Sequence, residues 1–304
     1  MTRSREIRSC DGSLFVASAS MGRSAGIRDG AWKVLCADWL AVAAGFARGS
    51  IDFLYVDPPF NTGKTQASPA RAGARGRADD AAYADAWATM GDYIAWLRER
   101  LDATLPAMKR SGVVAVHCDF RACHHIRLML DELQGEANFV NHLIWSYGLG
   151  GSSPRRFARK HDDILVYAID AARYHFEPPM VPATSQRLRG ELKKATDVLD
   201  IPSLNNMAAE RTGYPTQKPL ELLTLLVGAF APAGGTVLDP CCGSGSTIEA
   251  AVRLGRDAIG VDQNPRAVEI ATARLAARGA VGACGAHGSV GGRRGRSGPR
   301  VRPA

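Results

Sequence analysis

The sequence predicts an α/β protein on an open, mostly parallel, doubly wound sheet. Three observations carry that expectation. Short β-rich runs alternate with helical stretches through most of the chain. Several runs are near-continuously apolar, the pattern of strands covered on both faces. Two of them end in an aspartate followed by a turn rich in proline or glycine, and in open α/β sheets ligands bind beyond such strand ends.

Taken in order, residues 1–30 carry no assignable pattern. Strands are expected over 33–36 and 52–56. Residues 62–82, rich in Gly, Ala and Arg, read as a mobile loop. A helix follows, with Tyr93, Trp96, Leu97, Leu101 and Met108 at roughly helical spacing and Thr89 to Asp92 as a capping box. Strands are expected over 113–116, 143–147 and 164–169. Residues 171–211 show weak periodicity, four prolines (Pro178, Pro179, Pro182 and Pro202) and the basic residues Arg173, Arg187, Arg189, Lys193 and Lys194, and read as a small inserted module. Pro219 opens and Gly234–Gly235 close a helix through Leu220, Leu223, Leu226, Val227 and Phe230. Strands over 236–238 and 258–261 come next. The last helix follows Pro265, carries Val268, Ala271 and Leu275, and ends before Gly279. Residues 280–304, rich in Gly and Arg, read as a disordered tail.

Composition narrows the classes. The chain has 304 residues, 46% of them hydrophobic and 22% charged, enough for one large core with a small insert and too apolar for wholesale disorder. No apolar run reaches the roughly 18 residues of a bilayer-spanning helix, so no membrane partner is expected. Met1, Thr2, Arg3, Ser4 and Arg5 are followed by no apolar stretch, which argues against secretion. The seven cysteines are odd in number and scattered, with Cys241 and Cys242 adjacent. Reduced thiols and a cytoplasmic location are expected. A net charge of +8 fits a generic basic surface or a polyanionic partner. Cys118, Cys123, His124 and His125 suggest a metal site, but no second ligand pair sits at zinc spacing. No metal is expected there, only packing.

Two motifs carry chemistry. In Val237-Leu238-Asp239-Pro240-Cys241-Cys242-Gly243-Ser244-Gly245-Ser246-Thr247 a strand ends in a carboxylate and a glycine-rich turn opens a helix. Glycines let a ligand approach the backbone, and the helix N-terminus offers unpaired N–H groups. Ile248 stands where the dinucleotide fingerprint needs glycine. A phosphate loop ending in Gly63-Lys64-Thr65 fails likewise at Pro58. About 20 residues on, a second strand ends in Asp262, placed to grip two ribose hydroxyls. The other motif, Asp57-Pro58-Pro59-Phe60, follows the strand over 51–56. Its prolines stiffen the turn and remove two donors. What remains is rich in acceptors, the Asp57 carboxylate and a proline carbonyl, with an aromatic ring beside them. That suits a planar amino group. The plain alternatives are a rigid turn with an N-cap aspartate and two ordinary strand-to-helix turns.

Together these residues resemble the amino-directed DNA methyltransferases that use S-adenosylmethionine (AdoMet). An (Asp/Asn/Ser)-Pro-Pro-(Tyr/Phe) tetrapeptide is that group's catalytic signature, and a catalytic motif ahead of a late cofactor motif looks like its β class. Tyr214-Pro215-Thr216-Gln217-Lys218-Pro219 is similar to the class's His-Pro-Thr-Gln-Lys-Pro. Residues 34–39 resemble its hydrophobic-Gly-Asp segment, with Ala37 for glycine and Asp38 kept. Trp145-Ser146-Tyr147 and His161-Asp162-Asp163 also fall where the family has strand-end segments. The matches span roughly residues 31 to 275. Tyr214 replaces a histidine, and Cys241-Cys242 replaces a pair that commonly contains Phe.

The resemblance implies a circularly permuted, Rossmann-like class I AdoMet-methyltransferase sheet. Its units would be an N-terminal extension (1–30), a catalytic half (31–170), a target-recognition insert (171–211), an AdoMet-binding half (212–279) and a tail (280–304). Asp239, Pro240, Gly243 and Gly245 would cradle AdoMet, with Asp262 on its ribose, Asp38 near its adenine or amino group, and Thr216 and Lys218 on its methionine side. Asp57, Pro58, Pro59 and Phe60 would act on the acceptor, a base flipped out of double-stranded DNA. Arg155, Arg156, Arg159 and Lys160 would clamp phosphates. Arg71, Arg75 and Arg77 are a second basic group, and Arg293, Arg294 and Arg296 read as part of the tail. Adenine N6 is the first acceptor, since Asp heads the tetrapeptide more often in that subgroup, and cytosine N4 is the alternative. An RNA or protein-glutamine methyltransferase, for which Asn would be more usual than Asp57, and a non-catalytic DNA-binding protein are further alternatives. A homodimer and a cognate restriction endonuclease are partners this reading admits.

Overall fold

A computed structural model describes residues 15–19, 30–62, 64–67, 81–148, 153–183, 189–205 and 208–284. Arg71, Arg75, Arg77, Arg187, Arg293, Arg294 and Arg296 lie outside the described residues, as do 63 and 68–80 of the loop expected over 62–82; 64–67 and 81–82 of that stretch are paired strand, which corrects the expectation there. The strands are β1 (Phe15–Ala19), β2 (Trp32–Cys36), β3 (Ile51–Val56), β4 (Lys64–Ala67), β5 (Ala81–Asp85), β6 (Met108–Cys118), β7 (Phe139–Ser146), β8 (His161–Ala168), β9 (Met180–Pro182), β10 (Leu192–Lys194), β11 (Val198–Asp200), β12 (Thr236–Asp239) and β13 (Asp257–Asp262). The helices are α1 (Trp39–Ala43), α2 (Met90–Thr104), α3 (Cys123–Gln134), α4 (Leu220–Phe230), α5 (Ser246–Arg253) and α6 (Pro265–Cys284).

Strands β1-β2-β13-β12-β3-β6-β8-β7-β11 form one sheet in that order. From β2 to β6 neighbours run parallel, while β8 runs antiparallel to both β6 and β7. All six side chains of β3 are buried, because alternate residues face opposite helix layers. Phe53 and Tyr55 pack with Leu222, Leu226, Ala250 and Val268 of α4, α5 and α6. Leu54 and Val56 pack with Trp39, Leu97, Leu101 and Ile126 of α1, α2 and α3. Each such side chain contributes about 1.5–3 kcal/mol.

The capping box at Thr89 forms: Asp92 N–H donates to Thr89 Oγ1 at 3.1 Å and Thr89 N–H to Asp92 Oδ2 at 3.0 Å. Several expectations need correction. Met108 opens β6 and does not extend the helix, because Pro106 ends α2 at Thr104. Helix α6 passes Gly279 and reaches Cys284. A glycine inside a helix costs only about 1 kcal/mol relative to alanine and does not by itself stop it. Residues 15–19 add an antiparallel strand against β2. The stretch over 171–211 contributes a hairpin, β9–β10, but its β11 runs parallel to β7 as a strand of the main sheet, so this stretch is tied into the central core.

Candidate active site

Strands β2, β13, β12 and β3 are consecutive and parallel, so their carboxyl ends share one edge of the sheet. Their last or following residues place Asp38, Asp262, Asp239 and Asp57 along that edge. The aspartates line one cleft. Pro58, Pro59, Phe60, Thr216, Lys218, Pro240 and Gly243 line it as well. The two motifs, nearly 200 residues apart in the chain, thus converge because β12 hydrogen-bonds to β3.

The glycine turn is held by its neighbours. Asp262 accepts from the N–H of Gly243 at 2.9 Å and of Asn264 at 2.8 Å. Gly243 has φ +49°, and a Cβ there would lie 3.1 Å from Tyr214 Cε1. Gly245 does not line the cleft. It has φ +75° at the N-cap of α5, and a Cβ would sit 2.9 Å from Ala271 Cβ on α6. The structure packs it against α6, whereas the sequence suggested cofactor contact.

Burial pushes the Asp239 carboxyl up to about 7, helped by the nearby Asp57 and Asp262 and opposed by hydrogen bonds from Thr247 and the Cys241 N–H. Burial likewise raises Asp262 to about 6 against the two N–H groups it accepts. Both values exceed the ordinary 3.8. These groups therefore favour the folded state below about pH 4, and that contribution fades as pH rises through 6 to 7. Binding of a cation or of hydroxyl donors runs the other way, because it needs the carboxylates ionised. AdoMet affinity measured by calorimetry is expected to weaken roughly tenfold or more from pH 8 to pH 5.5. A flat profile would show that neither aspartate meets the cofactor.

At the far end, Asp38 caps α1, accepting from Leu40 N–H at 2.9 Å and Ala41 N–H at 3.3 Å. Arg100 of α2 donates to its other oxygen at 3.0 Å and lies 4.4 Å over the Trp96 ring. Asp85 and Arg100 also line the cleft. Asp85 Oδ1 and Arg100 Nε are buried without a hydrogen-bond partner among the described residues. Buried orphans of both signs are costly unless a ligand completes them. AdoMet carries an ammonium, a carboxylate, ribose hydroxyls and an adenine. An acceptor and a donor of this kind, a glycine turn and an acidic strand end fit that inventory. Asp85 and Arg100 escaped sequence reasoning because no local motif marks them.

Around Asp57 the structure adds a hydrogen-bonded cluster. Lys218 Nζ donates to Asp57 Oδ2 at 2.5 Å, both side chains being nearly buried. His117, fully buried, holds Nδ1 3.9 Å from Asp57 Oδ1. Burial first, then Asp57, Asp239 and Asp162, keep the Tyr55 phenol protonated, and its hydroxyl hydrogen-bonds with His117 Nδ1 at 2.7 Å. The other ring nitrogen, His117 Nε2, faces Asp162 Oδ2 at 3.4 Å. Burial opposes ionisation of Asp162, but His117, Lys218 and Tyr147 outweigh it and hold the carboxyl below its usual value. Phe60 lies 5.6 Å from the His117 ring, with Lys218 Nζ 5.1 Å from its centroid. Beyond it, Asn61 adopts φ +52° and accepts from Trp87 N–H at 2.9 Å, and Thr62 donates to Asp85.

The basic residues Arg155, Arg156, Arg159 and Lys160 lie in the β7–β8 connection, outside the cleft. Strand β7 runs in the same sense as β6, so this connection leaves the sheet on the Asp57 edge. The three arginines are exposed and Lys160 is half-buried. Arg159 stacks 3.5 Å over Phe120, and Phe157 is 97% exposed.

A parallel sheet with a glycine turn, acidic strand ends and an acceptor-rich Asp-Pro-Pro-Phe turn at one cleft defines an AdoMet-dependent amino methyltransferase. A DNA methylase family model matches residues 51–273, and the chain belongs to that family, the N6/N4 DNA methylases. It is 26% identical over 247 residues to the type II methyltransferase M.HpaI of Haemophilus parainfluenzae, covering 80% of this chain and 74% of the relative. It is 25% identical over 258 residues to the DNA adenine methyltransferase YhdJ of Escherichia coli strain K12, covering 80% and 82%. The fold resembles the M1.HpyAVI–SAM complex (TM-score 0.57, 21% identity, 80% of this chain and 98% of that one). It also resembles the cytosine-N4-specific PvuII methyltransferase (TM-score 0.59, 14% identity, 80% and 86%). No described helix is long and apolar enough to cross a membrane.

Proposed function

We propose that this enzyme methylates the exocyclic N6 of adenine at a specific site in double-stranded DNA, on a base flipped out of the helix. The observation that carries the reading is the Asp57 turn, placed on the same cleft as the glycine turn. Lys218 holds Asp57 through Oδ2, which leaves Oδ1 to accept one amino hydrogen while the Pro58 carbonyl accepts the other. Two acceptors pull the amino nitrogen toward pyramidal geometry and restore its lone pair. Bound AdoMet would supply the sulfonium methyl group, its S–CH3 bond breaking as N–CH3 forms and the neutral thioether S-adenosylhomocysteine leaving. The methylated nitrogen then carries one proton too many, and Asp57 Oδ1 takes it. Phe60 stacks on the base, a contact worth roughly 1–3 kcal/mol. Positioning within one cleft supplies much of the rate.

Asp239, Pro240, Gly243, Asp262, Asp38, Thr216 and Lys218 hold the cofactor in this reading, with Asp85 and Arg100 added. Incubating the protein with AdoMet and duplex DNA, then identifying the modified nucleoside, tests it. N6-methyladenine supports the adenine assignment, N4-methylcytosine moves it to the alternative acceptor, and unmodified DNA sinks both. A cytoplasmic location, a homodimer and a cognate endonuclease belong to the same reading, and cell fractionation, gel filtration and co-purification check them.

The exposed arginines give a separate prediction. Each phosphate contact contributes about 0.9 to the slope of log affinity against log salt. Replacing Arg155, Arg156 and Arg159 together by alanine is expected to lower that slope by about 2–3 and to leave AdoMet affinity unchanged. An unaltered slope would remove the loop from the DNA interface. Phe157, bare among these cations, is proposed to stack against the bases there.

A further inference from the structure

We propose that Cys123, His142 and Asp163 form a binding site for one divalent transition-metal ion, zinc by the chemistry of the donors. The three residues come from α3, β7 and β8, and their donor atoms lie within 4.8 Å of one another. Cys123 Sγ is 3.7 Å from His142 Nε2, and that same nitrogen is 2.7 Å from Asp163 Oδ1. The shared nitrogen separates this cluster from a Cys–His–Asp proton relay. A relay needs the thiol at one ring nitrogen and the carboxylate at the other. Here the thiol and the carboxylate meet the same ring nitrogen, so the three donors lie close enough together to share one ion.

Burial favours the same reading. Cys123 and Asp163 are each 4% exposed, whereas the His142 side chain is 40% exposed and leaves a path from solvent. Thiolate, imidazole and carboxylate together suit zinc. Three protein ligands leave a fourth position for water. His124 and His125, adjacent to Cys123 in sequence, are exposed and stand apart. Binding through Nε2 puts the imidazole proton on Nδ1. Binding of Cys123 as thiolate breaks its S–H bond and releases one proton to solvent per ion.

The site has a structural consequence for the cleft. Cys118 and Asp163 are directly opposed across β6 and β8. Their chain neighbours His117 and Asp162 point to the other face of the sheet, where they pair beside Asp57. An ion bound on one face would fasten the strand ends that position the pair on the other.

Titrating the full-length, metal-stripped protein with Co²⁺ and then Zn²⁺ tests the proposal independently of methylation. One equivalent of Co²⁺ is expected to give a thiolate charge-transfer band, which Zn²⁺ abolishes. The band should be absent in Cys123→Ser and in His142→Gln, the latter a half-exposed position at which the fold survives. Zinc should raise the thermal midpoint of the wild type and leave that of both variants unmoved. A band that persists in Cys123→Ser comes from other thiols and overturns the proposal, as does binding below one equivalent. AdoMet binding in the same samples reports on the methyltransferase site separately.

Discussion

Asp57→Ala is expected to lower methyl transfer about 10³-fold or more while AdoMet affinity stays within roughly twofold of wild type. The two halves of that expectation rest on different atoms. Loss of a positioned acceptor and proton-taking group costs about 10²–10⁴ in rate. The glycine turn, by contrast, is held by Asp262 through the Gly243 N–H at 2.9 Å and needs nothing from Asp57. The variant also strands Lys218, whose side chain is 11% exposed, and an unpaired buried cation is destabilising. Asp57→Asn removes the charge and keeps the shape, so it separates chemistry from folding. Single-turnover transfer of labelled methyl, together with calorimetry of AdoMet binding, checks both variants. A fully active Asp57→Asn enzyme would end the proposed mechanism. Loss of AdoMet binding in both variants would instead make Asp57 a cofactor ligand.

Gly245→Ala is expected to cost about 2–4 kcal/mol of stability, with AdoMet affinity of the remaining folded protein close to wild type. The positive φ of +75° alone is worth roughly 1–2 kcal/mol against a side chain. The added methyl would sit 2.9 Å from Ala271 Cβ, where α5 packs on α6, and crowding of that kind costs about 1–3 kcal/mol more. Chemical denaturation measures the first quantity and calorimetry at low temperature the second. A variant of normal stability that has lost AdoMet would return Gly245 to the cofactor cradle. Gly243 is the contrasting case: it lines the cleft, and its tight neighbour is the Tyr214 ring.

Legibility in the sequence tracked how local each cause was. The apolar runs that became β3, β6, β8 and β12 were readable because burial on both faces needs only the run itself. The Asp-Pro-Pro-Phe and glycine turns were readable because each is built from adjacent residues. Edge strand β11 and α1 left no signal, since three or five residues carry too little periodicity. Met108 misled because it kept helical spacing past Pro106, whose missing N–H decided the boundary. The packing of Gly245 was not legible because its neighbour Ala271 is 26 residues away in sequence and touches it only through helix packing.

By itself the sequence determined the sheet class, the two motif turns and the carboxylates at their strand ends, because each depends on the conformational preferences and polarity of contiguous residues. Only the tertiary structure decided that Lys218 meets Asp57, that Arg100 meets Asp38, that His117 stands between Tyr55 and Asp162, and that Cys123, His142 and Asp163 converge. The physical reason is strand order. Hydrogen bonding between β12 and β3 and between β6 and β8 brings together residues far apart in the chain, and no spacing along the chain encodes which strands become neighbours.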